Sequence, residues 1–144
     1  MPKFSAKSEE RLEQAEKQLR DLFNIIVGKY DCTILQGHRN EATQTEYYQS
    51  GKSKVQWPNS KHNSMPSRAV DAAPYPIPKK WGAEHWKDRV KFYEFAAIVR
   101  YEASCLGIKI RWGGDWDSDG DYRDQTFDDL VHFELVEDTN NGNS

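Results

Sequence analysis

Cysteine is scarce in this sequence: Cys32 and Cys105 are the two among 144 residues. Two cysteines cannot build a disulfide framework, and such scarcity suits a reducing compartment, where a buried thiol is the simplest reading. Long hydrophobic runs are missing as well. No stretch approaches the roughly 18 apolar residues of a membrane helix, which excludes a membrane-spanning segment. The opening residues, MPKFSAKSEERLEQ, hold no apolar core of the kind a secretory leader needs, so no Sec-type signal is expected. Internal repeats are absent, and so is any H-E-x-x-H zinc motif. Apolar residues make up 37% and the mean hydropathy is −0.92, values that alone would allow disorder. Five Trp within a 12% aromatic content argue instead for a packed core. At this length one domain with a single core is expected.

The net charge of −3 hides an uneven distribution. Residues 115–138 hold ten acids against one base, Arg123, so this segment carries −9 and the rest of the chain +6. Acidic blocks are usually solvated faces or tails. This one is interleaved with Trp, Tyr, Phe and Leu, which makes a positive partner, such as a metal ion, the expected occupant.

Periodicity predicts an amphipathic helix over 8–27, with Leu12, Ala15, Leu19, Leu22, Phe23 and Ile26 on one face, Ser8 as its cap and Gly28 as its stop. A short strand at Cys32–Leu35 runs into Gly37-His38-Arg39, and a second helix is expected over 41–49, ending at Gly51. Residues 52–68 read as a polar loop. Ala69–Ala73 reads as a strand, closed by Pro74, Pro76 and Pro78. The longest helix is expected over 84–105, with a stripe of Val90, Tyr93, Ala97 and Tyr101 beside Phe92, Phe95, Ala96 and Val99; Gly107 ends it. Strands follow at 108–112 and 132–136, and residues 139–144 read as a disordered tail. Helices with separated short strands predict an α+β fold, a small antiparallel sheet packed with helices.

Two of the four histidines stand in notable settings. His62 lies in the polar loop nine residues before Asp71, and His132 opens the last strand three residues after Asp129. A catalytic zinc site takes three N/O ligands and leaves a fourth position for water. Two imidazoles and one carboxylate would leave the ion a net positive charge, which lowers the pKa of bound water, and a further carboxylate can take the proton. Spacing alone leaves the ordinary readings open: a surface loop histidine, and an aspartate that caps a turn.

The string S-K-H-N-S-M-P-S-R-A-V-D-A-A-P-Y at 60–75, followed by D-L-V-H-F-E-L at 129–135, resembles the zinc peptidases of the VanY type. These comprise D-Ala-D-Ala carboxypeptidases and, closer in size and motif, phage L-alanyl-D-glutamate endopeptidases. The family pattern of S-x-H, then A-x-D, then D/E-x-x-H is matched by Ser60, His62, Ala69, Asp71, Asp129 and His132. Gln36-Gly37-His38-Arg39 resembles the family strand ending in G-x-R, and Trp112-Gly113-Gly114-Asp115-Trp116 its W-G-G-D-W segment. The blocks occur in family order over about residues 30–137, within a domain spanning 1–138. The loop Asn63–Arg68 departs from the pattern, being longer than usual and lacking a Gly before A-x-D.

The resemblance implies a fold like that of D-Ala-D-Ala peptidases and of the hedgehog signalling domain. It implies zinc held by His62, Asp71 and His132, with Asp129 as general base; spacing to His132 favours Asp129 over its neighbour Asp128. Arg39 would bind the substrate carboxylate or the developing oxyanion, and Ser60 the substrate or a metal ligand. The activity implied is hydrolysis of a peptide bond in peptidoglycan, as in a phage endolysin. A D,D- or L,D-carboxypeptidase on the same scaffold, or a non-catalytic binding module, are the alternatives. Peptidoglycan is the expected partner, with no nucleic acid, since the acidic block would repel phosphate, and no membrane insertion. The protein is expected as a monomer in the host cytoplasm before release to the wall.

Asp115, Asp117, Asp119 and Asp121 follow the D-x-D-x-D-G pattern of a calcium loop, with Thr126 where the full motif wants Glu. Calcium there would order the segment leading to Asp129 and His132. Calcium titration is therefore expected to raise both the hydrolysis rate and the thermal midpoint; no change in either contradicts a calcium role.

Overall fold

A computed structural model describes residues 2–81, 84–115 and 129–136. The elements are α1 (Ala6–Leu12), α2 (Lys17–Lys29), β1 (Cys32–Gln36), α3 (Glu41–Gln49), β2 (Ala69–Pro74), α4 (Trp86–Leu106), β3 (Ile110–Trp112) and β4 (His132–Leu135). The four strands form one antiparallel sheet in the order β1-β2-β4-β3. The α+β class with a small antiparallel sheet is thus the observed one.

The expected single helix over 8–27 is two helices. The chain leaves helical geometry at 14–16 because Ser67 competes for its backbone: Ser67 N donates to Gln14 O and Glu16 N to Ser67 O, both at 2.9 Å. Apolar periodicity survives the break, since Leu12, Ala15, Leu19, Leu22, Phe23 and Ile26 are all buried. The cap is Ser5, not Ser8. Ser8 is buried inside α1, where its hydroxyl meets Thr33 Oγ1 and accepts from Ile34 N, each at 3.0 Å. With Arg11 donating to Ile34 O, α1 covers the free edge of β1, which would otherwise expose unpaired backbone groups. Gly28 lies within α2, which ends at Lys29 with Tyr30 as its C-cap.

Alternation along the strands divides the sheet into two faces. Val70, Ala72, Phe133 and Leu135 point into the core, where the Phe133 ring packs edge-on against Phe23 of α2 and Phe95 of α4, centroids 5.7 and 5.9 Å away. Such edge-to-face pairs add about 0.5–1.5 kcal/mol each beyond their buried area, so this aromatic knot fixes how the helices seat on the sheet. Helix α4 buries Phe92, Phe95, Ala96, Val99 and Ala103. The stripe expected beside them is not core: Ala97 and Tyr101 are exposed, and Tyr93 is half-buried beneath Trp86 and against Trp112. The other face of the sheet carries Asp71, His132 and Glu134. Cys32 is buried and Cys105 exposed, both as free thiols. The expected tail at 139–144 lies outside the described residues.

Candidate metal centre

Strand register brings the polar residues of that second face together. Asp71 on β2 is the cross-strand partner of His132 on β4, and Arg111 on β3 is the partner of Glu134. Opposed residues on one face stand close enough for their side chains to meet. His62 arrives from the loop before β2. Its ring Nδ1 donates to Gly37 O at 2.7 Å, just after β1, while its backbone N–H donates to Ser60 Oγ at 3.2 Å.

Three atoms converge. His62 Nε2 lies 3.0 Å from Asp71 Oδ1 and 3.3 Å from His132 Nδ1, and His132 Nδ1 lies 3.3 Å from Asp71 Oδ1. All three residues are buried. Metal–ligand bonds of about 2.0–2.1 Å in a tetrahedron put neighbouring donor atoms roughly 3.3–3.4 Å apart. The observed spacing is close to that. The outward ring nitrogens are engaged elsewhere: His62 Nδ1 at Gly37 O, and His132 Nε2 at 2.8 Å from Glu134 Oε1. With those protons directed outward, the inward nitrogens of two neutral imidazoles present lone pairs to a carboxylate. A cation must stand between them, either a proton or a metal ion.

Burial and hydrogen bonding shift the charge states of these groups accordingly. Burial alone would strip the proton from His132, but hydrogen bonds to Asp71 and Glu134 outweigh it and raise the group to about 9. Asp71 is pushed up by burial, yet His62 and His132 together hold it well below the usual carboxylate range. Glu134 is likewise lowered despite its burial, by His132, Lys61 and Arg111. Asp129 behaves oppositely: burial first, then the Asp71 charge, raise it to about 6 against the pull of the two histidines. A carboxylate of that pKa is suited to accept a proton near neutrality.

These residues share a cleft of about 590 Å³, which also takes in Arg39 and Ser60. Arg39 is 6% exposed, not on the surface; its Nε donates to Gln36 Oε1, one terminal nitrogen to Gln44 Oε1, and the other lies 3.7 Å from Asp71 Oδ2. Asp129 is held from behind by Gly113, whose carbonyl accepts from Asp129 N at 2.9 Å and whose N–H donates to His132 O at 2.8 Å. A Cβ at Gly113 would lie 2.2 Å from Asp129 O, so only glycine permits this approach. His38 packs through Nε2 against Asn63 O, and His85 sits at the start of α4; neither enters the centre. Glu134 and the Gly37 carbonyl were not singled out from sequence, although Glu134 lies two residues after His132, the strand period that puts both on one face.

Of the residues in the acidic pattern, Asp115 is fully buried and pairs with Arg100 at 3.4 Å. Asp117, Asp119 and Asp121 lie outside the described residues, as do Asp124 and Asp128.

Comparison with known proteins places this geometry in context. The family described as phage L-alanyl-D-glutamate peptidase matches residues 1–136. The L-alanyl-D-glutamate peptidase of Escherichia phage T5 is 33% identical over 140 residues, covering 93% of this chain and 98% of its own. The crystal structure of the Serratia marcescens L-Ala D-Glu endopeptidase ChiX superposes with a TM-score of 0.67 at 25% identity, over 92% of this chain and 89% of that one.

Because His132 is protonated below about pH 9 in the metal-free protein, a divalent cation must displace that proton to bind. Affinity is expected to rise with pH through neutrality, by about tenfold per unit, with proton release visible as a buffer-dependent heat in calorimetry. Glu134→Gln is expected to weaken binding about 10–100-fold. Binding that is independent of pH, or unaffected by Glu134→Gln, contradicts this arrangement.

Proposed function

The chain belongs to the phage L-alanyl-D-glutamate peptidase family, and from that premise we propose that it is a zinc-dependent endopeptidase cutting the L-alanyl–D-glutamate bond of peptidoglycan stem peptides. The observation that carries the zinc reading is the convergence of His62 Nε2, Asp71 Oδ1 and His132 Nδ1 at 3.0–3.3 Å, with Asp129 in the same cleft. Donors of two nitrogens and one carboxylate oxygen are the set that catalytic zinc takes. Bound there, the ion would supply Lewis-acid polarisation of the scissile carbonyl and acidify the attacking water.

The chain's own residues do the rest. Asp129, raised to about 6, accepts the water proton at its carboxylate and passes it to the leaving D-glutamyl nitrogen. Arg39 braces Asp71 and, lining the cleft, steadies charge developing on the carbonyl oxygen. Ser60 orients His62 through the backbone hydrogen bond to its hydroxyl. Glu134 and Gly37 hold the two imidazoles in the tautomers that direct lone pairs inward. In this reading the enzyme is made in the host cytoplasm and reaches the wall when another lysis protein opens the membrane. Calcium enters it on the D-x-D-x-D-G spacing alone, as a modulator of the segment leading to Asp129.

Digestion of purified peptidoglycan, followed by mass analysis, tests the activity. Wild type is expected to release fragments with a new D-glutamyl amino terminus, and Asp129→Ala to lower the rate by about 10²–10⁴-fold. Release of terminal D-alanine instead would identify a carboxypeptidase, and no release of either product contradicts a peptidase.

A further inference from the structure

The cleft is lined by side chains of both charges. Asp71, Asp129 and Glu134 lie at the metal centre, while Lys52 and Lys54 line the cleft from the loop after α3. That loop is fixed rather than draped. Gly51 takes a left-handed conformation at φ 84°, which turns the chain back so that the backbone N–H groups of Lys52 and Ser53 both donate to Tyr47 O, at 2.8 and 3.1 Å. Fully buried Gln44 then ties the loop to the centre: its Nε2 donates to Val55 O at 2.7 Å and Ser53 Oγ at 3.0 Å, while its Oε1 accepts from Arg39. The Lys52 ammonium lies 5.2 Å from the centroid of the Tyr47 ring, and the same ring holds Arg39 at 4.4 Å.

Substrate chemistry gives this wall a task. In an L-alanyl–D-glutamate bond the glutamyl nitrogen belongs to the scissile amide. One of that residue's two carboxyls continues the stem peptide, and the other stays a free anion unless it is amidated. This anion must enter a cleft already holding three carboxylates, so it needs a cation within a side chain's length of the cut bond. Among the described residues the cleft offers few suitable ones. Arg39 is held by Gln36, Gln44 and Asp71 and faces the scissile carbonyl in the reading above, and Lys61 donates to Leu135 O at 2.7 Å and pairs with Glu134. Lys52 is exposed to the cleft, and a ring face positions an ammonium without neutralising its charge.

We propose that Lys52, fixed over Tyr47 on the wall of the cleft, reads the free carboxylate of the D-glutamyl residue beside the scissile bond and selects substrates in which it is not amidated. This rests on the peptidase reading above and adds its specificity.

The test compares two muropeptides that differ only in that group, free carboxylate or carboxamide, by kcat/KM. Wild type is expected to prefer the carboxylate by roughly tenfold, as for one charge-assisted contact. Lys52→Met is expected to abolish the preference, mainly through KM, and Lys52→Arg to retain it. A wild type that cuts both equally, or a Lys52→Met variant that keeps the wild-type preference, overturns the assignment of Lys52 while leaving the peptidase reading intact. A wild type that cuts neither overturns the peptidase reading, and the specificity with it.

Discussion

Three electron-pair donors face one another in the interior of this protein, and a positive charge must stand among them. Two imidazoles whose outward nitrogens are already hydrogen-bonded leave only lone pairs to turn toward Asp71. In the metal-free protein a proton on His132 fills that need, which is why its pKa lies so far above that of an ordinary histidine. A divalent cation answers the same need with a stronger field, at a spacing the donors already have. The antiparallel register that opposes Asp71 to His132 and Arg111 to Glu134 is, in this light, the geometry that builds the centre. The aromatic packing of Phe133 between Phe23 and Phe95 keeps that register from slipping, since a shift of one residue would send His132 into the core.

Much of this was legible in the sequence, for identifiable reasons. The S-x-H, A-x-D and D-x-x-H blocks, through their resemblance to the VanY-type zinc peptidases, pointed to His62, Asp71, Asp129 and His132, which the fold gathers in one cleft. The helix break at 14–16 was not legible, because its cause is Ser67, more than fifty residues away. Apolar periodicity is blind to a backbone that exchanges its own hydrogen bonds for those of a distant segment. The misplaced stripe on α4 has a similar origin: two apolar rows run along that helix, and only tertiary packing decides that Phe92, Phe95 and Val99 meet the sheet. Gln44 reads in sequence as one more polar residue of a helix, yet it is buried and joins Arg39 to the loop that carries Lys52.

The uneven charge also takes on a more specific meaning. Asp129 and Glu134, from the acidic segment, stand at the proposed metal centre, one suited to carry a proton and the other to hold an imidazole. Asp115, also from that segment, is paired with Arg100 of α4. The excess positive charge elsewhere includes Lys52, which lines the same cleft as Asp129 and Glu134. Opposite charges thus line one cavity, where a substrate that is itself anionic beside the cut bond must fit.

In the proposed centre His62, Asp71 and His132 hold a catalytic zinc ion while Asp129 acts beside it without binding it. Elemental analysis of purified protein, wild type and single variants, tests this most directly. One zinc per chain is expected in wild type and in Asp129→Ala, and loss of zinc in His62→Ala and His132→Ala. Full zinc retention in the two histidine variants, or its loss in Asp129→Ala alone, would contradict it.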